Sequence, residues 1–360
     1  TIPPHPRQCA TVFSGGPEKS PRPSEPGVRR FFGLVSRPGV RSSPIRCRRG
    51  GKCVRCVLAG KNRAAVECLR FLVDEDAETL VVAAKSDDGV DGWQPSLLKA
   101  AREANVEFIQ PAKIKDPDTV EAIVAYEPDV LVSVQYDQIL GAGLLDSPDF
   151  ACLNLHFALL PRQQGVAPIA WALLEGDAQA GVTLHRMVLD IDAGDIIAQR
   201  STDIGPRTTG RALYEAVADL ASELFVASYP FGPDLLAGAR PQLKADACYH
   251  RNGDFDFSRT EIAWDLPSAE LHNWMRAMIF PPMQVPQTTG NGRTLQVFGV
   301  GGPVRGVSDR PGTVLAVAPD EVVVATGDGG ILISEVVDPA NPSVDSAAIL
   351  TSLQAGLPFA

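Results

Sequence analysis

Val54-Arg55-Cys56-Val57-Leu58-Ala59-Gly60 is followed at once by Asn62-Arg63-Ala64-Ala65-Val66-Glu67-Cys68-Leu69-Arg70-Phe71-Leu72. The first segment is a short apolar run closed by glycine, the pattern of a strand buried on both faces. In the second, apolar residues recur at helical spacing. The alternation continues outward. Thr79–Ala84 reads as a strand, Pro95–Ala104 as a helix with proline in its first turn, Phe108-Ile109 as a brief strand, and Pro117–Tyr126 as a helix. Val130–Val134 and Cys152–Leu155 read as two further buried strands. Strand and helix in turn predict an α/β, Rossmann-like sheet, parallel or mixed, with helices on both faces.

Downstream the pattern changes. Val182–Leu189 and Ile196–Arg200 are strand-like and joined by a turn, and Arg211–Tyr229 is a long amphipathic helix stopped by Pro230. Beyond a boundary near 240, a helix at Ser268–Met278 leads into short strands at Leu295–Phe298, Gly312–Val317, Val322–Ala325 and Ile331–Val336. Short, regularly spaced strands with Gly and Pro turns predict a small β-barrel of OB-like type. The expected division is 1–52 leader, 53–240 catalytic domain and 241–360 C-terminal barrel.

The leader differs in kind. Nine prolines fall before residue 45, with Arg and Ser between them. Such a segment buries too little apolar surface to offset the entropy of ordering it. Eleven Lys or Arg between Thr1 and Lys52 face only Glu18 and Glu25, a net of +9. The whole chain of 360 residues carries −10, which leaves −19 on the rest. A body so acidic argues against a protein that coats nucleic acid. No run of about 18 apolar residues offers a membrane span.

Seven cysteines, an odd number in a chain of this length, argue against a disulfide framework and for a reduced, cytoplasmic setting. Cys47, Cys53 and Cys56 cluster, but a structural zinc site takes four ligands and no fourth lies near in sequence. The five histidines include no two at metal-ligand spacing, so no metal is expected. Gly60-Lys61-Asn62 lacks the earlier glycine and the following Ser or Thr of a phosphate loop. No G-x-G-x-x-G follows the first strand.

The chemistry-bearing stretch is Asn154-Leu155-His156, then Leu159-Leu160-Pro161, Gly165, Ala167-Pro168 and Trp171. It continues through Gly181-Val182-Thr183-Leu184-His185 to Asp190-Ile191-Asp192-Ala193-Gly194-Asp195. Asn154 and His156, two apart at a strand end, point to one side. They emerge at the carboxyl end of a parallel strand, where open α/β sheets form their crevice. Asp192 approaches from a turn. Such a set suits acyl transfer to an amine. A neutral His takes the amine proton. The Asn amide donates to the developing oxyanion, an effect of about 2.7–4 kcal/mol in other enzymes. The carboxylate favours imidazolium. No nucleophile is implied, and Cys152 reads as core.

On these residues, the stretch from about Val54 to Phe225 resembles the folate-dependent formyltransferases and their Asn-x-His … Leu-Leu-Pro-x-x-x-Gly … Asp-x-Gly pattern. That family includes methionyl-tRNA formyltransferase, glycinamide ribonucleotide formyltransferase and nucleotide-sugar N-formyltransferases. The resemblance implies Asn154, His156 and Asp192 as the catalytic trio, 10-formyltetrahydrofolate as donor and a primary amine as acceptor. It places the pteridine against the loop Ser133–Leu140, through Gln135, Tyr136, Ile139 and Leu140. Leu160 and the Asp190–Gly194 turn close that slot. Leu271–Ala277, with His272 and Arg276, resembles the family's connecting helix; read from the residues alone, those two side chains are solvated or capping.

Phe157-Ala158 and Gln163-Gln164 depart from the family pattern on the acceptor side. The tRNA enzyme of the family carries a basic insertion after its second strand, whereas Lys85–Trp93 here is acidic. The expected acceptor is therefore a small-molecule amine, first a nucleotide-linked amino sugar, with Lys61, Asn62, Trp93 and Phe157 as its contacts. Methionyl-tRNA, formyltetrahydrofolate hydrolysis and non-catalytic folate binding are the alternatives. A homo-oligomer is left open.

Overall fold

A computed structural model describes residues 54–290 and 292–359. The leader, with Cys47 and Cys53, lies outside the described residues.

Strand β1 (Arg55–Gly60) leads into α1 (Asn62–Asp74), followed by β2 (Glu78–Ala83), α2 (Leu97–Glu103), β3 (Glu107–Ile109), α3 (Pro117–Ala125) and β4 (Val130–Val134). After α4 (Ala142–Leu145) come β5 (Ala151–His156), the two-residue β6 (Gln164–Gly165), α5 (Pro168–Leu174), β7 (Gln179–Arg186), β8 (Ile196–Asp203) and α6 (Gly210–Ser228). The seven-stranded sheet runs β3-β2-β1-β4-β5-β7-β8. Its first five strands are parallel, and β7 and β8 are antiparallel to their neighbours. The sheet is therefore mixed: β7 runs against β5, and the loop between β7 and β8 returns the chain as a further antiparallel strand.

The continuous apolar reading of β1 follows from burial on both faces. Cys56 and Leu58 point into a core with Leu69 of α1 and Phe225 of α6, while Val57 and Ala59 point into a second core with Ile123 of α3 and Leu144 of α4. Cys152 is 1% exposed in that second core. Its Sγ lies 3.2 Å from the Leu144 carbonyl, and burial pushes the thiol up to about 12.

After α7 (Pro233–Ala237) the chain does not leave the first sheet at 240. Arg240 exchanges backbone hydrogen bonds with Ile196, and β9 (Tyr249–His250) pairs with β6. A separate core begins with Ile262 and Trp264. It packs α8 (Ser268–Met278) against an antiparallel sheet of β10 (Gln287–Gly290), β11 (Arg293–Val304), β12 (Val314–Val317), β13 (Val322–Ala325) and β14 (Gly330–Val337), with α9 (Ser346–Ser352) following. Register shifts along β11 and β14 curl this sheet into a half-barrel.

His272 and Arg276 on α8 are not solvated. They are 6% and 5% exposed, and donate to the carbonyls of Pro206 and Gly205 at 2.8 and 2.9 Å. These bonds tie α8 to the turn between β8 and α6. Among the described residues no helix is long and apolar enough to cross a membrane.

Candidate active site

Asn154 lies on β5 between Ser133 of β4 and His185 of β7. Alternation along the strand puts His156 on the same side as Asn154. His156 donates from Nε2 to the Gln163 carbonyl at 2.8 Å. A carbonyl only accepts, so Nε2 carries the ring proton and Nδ1 is the lone-pair atom. His185 has the opposite arrangement: Nδ1 donates to the Arg186 carbonyl at 2.9 Å, leaving Nε2 to accept from Asn154 Nδ2 at 3.1 Å. The same amide nitrogen is 3.4 Å from Asp192 Oδ1.

Asp192 reaches this point from the loop between β7 and β8, with φ of 54°. Its Oδ2 accepts from the Gly165 N–H at 2.9 Å and stands 3.7 Å from His156 Nδ1. Its Oδ1 is 3.5 Å from His185 Nε2. The loop is clamped from behind. Gln164 and Gln242 donate to the Asp192 carbonyl at 3.2 and 2.6 Å, and Gln242 also reaches the Gly194 carbonyl at 2.7 Å. Gly194 passes so close to Arg186 that a Cβ there would sit 1.9 Å from its carbonyl oxygen. Burial alone would raise the Asp192 carboxyl. In acid, where both imidazoles are protonated, the opposing charge of His156, the bond His185 then donates and its charge, together with the Gly165 N–H, outweigh it and hold the group down at about 2. It is a carboxylate at neutral pH, 11% exposed beside two imidazoles.

Asn154, His156 and Asp192 therefore meet, and His185 meets them. His185 stands inside the quoted stretch, but the sequence reading gives it no role. Gln163 and Gln164, expected to border the acceptor side, bond to the ring of His156 and to the loop of Asp192.

The other expected residues are placed as follows. Gln135, with φ of 55°, accepts from Tyr214 Oη at 2.8 Å and from Asn62 Nδ2 at 3.4 Å. Tyr136 accepts from Gln138 at 3.3 Å and packs on the second core. Ile139 is 57% exposed, while Leu140 and Leu160 are buried. Asp190 is exposed and Gly194 buried. Lys61 pairs with Asp137 at 3.7 Å and reaches Ser86 at 3.3 Å. Trp93 packs edge-on against Phe280, with the Arg211 guanidinium 4.8 Å from its ring centre. Phe157 is buried against Tyr214 and lines a cavity of about 230 Å³ with Leu159, Gln163 and Ala180.

The N-terminal model of the formyl transferase family matches residues 46–228, and the C-terminal domain model of that family matches residues 257–354. The chain belongs to the formyl transferase family. A methionyl-tRNA formyltransferase of Geobacter sulfurreducens is 30% identical over 295 residues, 79% of this chain and 89% of that one. The corresponding protein of Pseudomonas fluorescens is 31% identical over 306 residues, 83% of this chain and 93% of that one. Among solved structures, the sugar 3N-formyl transferase WlaRD, determined in the presence of dTDP and 5-N-formyl-THF, superposes with a TM-score of 0.62. It is 25% identical, across 79% of this chain and 98% of that one. An N-formyltransferase of Helicobacter canadensis shares the fold at a TM-score of 0.64 and 24% identity, over 79% of this chain and 99% of that one. As a family member, this formyl transferase is a formyl-transferring enzyme.

Proposed function

We propose that this formyl transferase moves the formyl group of 10-formyltetrahydrofolate to the primary amine of a small molecule, in the first place a nucleotide-linked amino sugar. The observation that carries the reaction is the commitment of His156 Nε2 to the Gln163 carbonyl, which leaves Nδ1 as the base with the Asp192 carboxylate 3.7 Å behind it. The fit of the folate rests on the two loops flanking Asn154. They expose Ile139, Leu189 and Ile191 at 57%, 70% and 37%, an apolar lip suited to a flat heterocycle. Gln135, Tyr136, Ile139 and the Asp190–Gly194 turn would hold it.

Bound 10-formyltetrahydrofolate supplies the electrophilic formyl carbon. Asn154 Nδ2 donates to the oxygen that becomes negative as the amine attacks. His156 Nδ1 takes the proton the amine must lose, and Asp192 stabilises the resulting imidazolium. The C–N bond to the folate breaks as that nitrogen regains a proton. The products are an N-formyl amine and tetrahydrofolate.

The acceptor reading rests on charge. In Lys85–Trp93, Asp87 accepts from the Leu98 N–H at 3.0 Å and from Ser96 Oγ, and Asp91 pairs with Lys99. These bonds fix an acidic segment at the start of α2, where the tRNA enzyme of the family carries a basic insertion, and so weigh against the many backbone phosphates of a tRNA. One finding favours a second reading, methionyl-tRNA: the named relatives act on it, and this chain covers about nine-tenths of their lengths. Purified protein with 10-formyltetrahydrofolate should release tetrahydrofolate and give a product 28 Da heavier (one CO) with a nucleotide-linked amino sugar, and not formylate methionyl-tRNA. Formylation of the tRNA alone would reverse the assignment. Tetrahydrofolate release without any amine would make the protein a hydrolase.

A further inference from the structure

Behind Gln163 lies a cluster that the reaction does not use. Glu175 caps the C-terminus of α5, Cys248 precedes β9, and His250 ends it. Their ligand atoms all lie within 4.8 Å of one another. His250 Nε2 is 3.5 Å from Cys248 Sγ and 3.7 Å from Glu175 Oε1. Zinc bonds of about 2.3 Å to sulfur and about 2.0–2.1 Å to nitrogen or oxygen, at tetrahedral angles, set ligand atoms roughly 3.3–3.6 Å apart. Both measured separations therefore fit around a common centre after shifts of a few tenths of an ångström.

The surroundings hold this geometry in place. The Trp171 ring stacks on His250 at 3.9 Å and 8°, which fixes the imidazole plane. Gln163 Oε1 accepts from His250 Nε2 at 2.7 Å, closer than two ligands of one zinc can lie, so it holds the ring while water completes the tetrahedron of a three-ligand site. The Glu175 side chain is 23% exposed, so an ion has a route in. One thiolate, one carboxylate and a neutral imidazole balance a divalent cation, and the sulfur selects zinc over magnesium or calcium.

We propose that Glu175, Cys248 and His250 form a zinc-binding site, joined to the reacting centre through Gln163. Binding releases the thiol proton of Cys248. It also requires the Nε2 proton of His250 to leave for Nδ1 or solvent, breaking the bond to Gln163 Oε1. The backbone of that same Gln163 accepts from His156 Nε2, so occupancy reaches the His156 ring.

The test is titration of the full 360-residue chain with Zn²⁺ against a chromophoric chelator, and with Co²⁺ followed by its thiolate charge-transfer band. Wild type should bind one equivalent more tightly than Cys248→Ser does, by more than the ~10–100-fold typical of outer-shell changes. The cobalt band should vanish in Cys248→Ser and persist when Cys9, Cys47 and Cys53 are all changed to Ser. Glu175→Gln, which keeps shape and a hydrogen-bonding oxygen, should weaken zinc in the same direction. Zinc should also shift the His156 imidazole resonances in wild type and not in Cys248→Ser. Zinc uptake and a cobalt spectrum indifferent to Cys248→Ser would overturn the site, and tight binding that leaves the His156 resonances unmoved would overturn its link to the reacting centre.

Discussion

The Nδ1 atom of His156 stands 3.7 Å from Oδ2 of Asp192, while the ring's other nitrogen is spent on the Gln163 carbonyl. In the proposed reaction this makes Nδ1 the base, with the counter-charge for its protonated form already in position. His156→Gln keeps a polar side chain but removes the base. It should lower kcat by ~10²–10⁴-fold with the folate dissociation constant little changed. Steady-state kinetics beside equilibrium folate titration separate the two. A kcat within about tenfold of wild type would remove His156 from the proton transfer.

Asn154→Ala removes the amide that donates to His185 and Asp192 and, in the proposed reaction, to the oxyanion. The expected loss is ~10²–10³ in kcat, with KM for the amine nearly constant. A loss confined to KM would mean that Asn154 serves binding rather than the developing charge.

His185→Gln tests a residue whose ring touches Asn154 but whose other nitrogen is tied to its own strand. It positions the amide, and a small misplacement of a reacting group can cost ~10²-fold. We expect kcat to fall by tenfold to a hundredfold. The loss should fall on kcat with KM for the amine nearly unchanged, since the His185 ring orders both Asn154 and Asp192. A purely structural role would lower the melting temperature and leave kcat unchanged.

Why His185 escaped a reading of the sequence, when Asn154, His156 and Asp192 did not, has a physical answer. Strands such as β1 and β4 are legible because burial on both faces demands unbroken apolar runs, and Asn154 and His156 stand out by interrupting one. Asp192 stands out beside a glycine that its loop cannot replace. His185, by contrast, alternates with Thr183 on a half-polar strand, and its role appears only when β7 is laid against β5 in register. Gln163 acts on His156 through its main-chain carbonyl, and a carbonyl leaves no mark on residue type. Gln242 and His250 come from beyond the expected boundary at 240, where composition changes but the chain still pairs with the first domain.

Asp192 should also be visible in stability. Its folded carboxyl is held near 2 against an ordinary 3.8. A depressed pKa stabilises the fold fully above the unfolded value near 4, and that contribution disappears as pH falls through about 2. Its size is on the order of 2 kcal/mol. In urea melts, Asp192→Asn should be less stable than wild type at pH 7, and the difference should close by pH 2. An equal difference at both pH values would assign the loss to packing instead of charge.

Gly194→Ala separates the loop's geometry from its chemistry. The added methyl carbon would meet the Arg186 carbonyl oxygen at 1.9 Å and the carbonyl carbon at 2.9 Å, backbone atoms that cannot swing aside. The loop must therefore move outward, carrying Asp192 away from His156 without altering any group that reacts. Forced overpacking of this kind costs ~1–3 kcal/mol. The larger effect should be on rate, because displacing Asp192 by about an ångström is enough for ~10²-fold. The Gln242 bonds to the Asp192 and Gly194 carbonyls should break with it. Gln242→Ala alone, which leaves Gly194 in place, should then produce a smaller loss in the same direction. A Gly194→Ala enzyme with unaltered kcat and a lowered melting temperature would show that the position of Asp192 is not what the glycine protects.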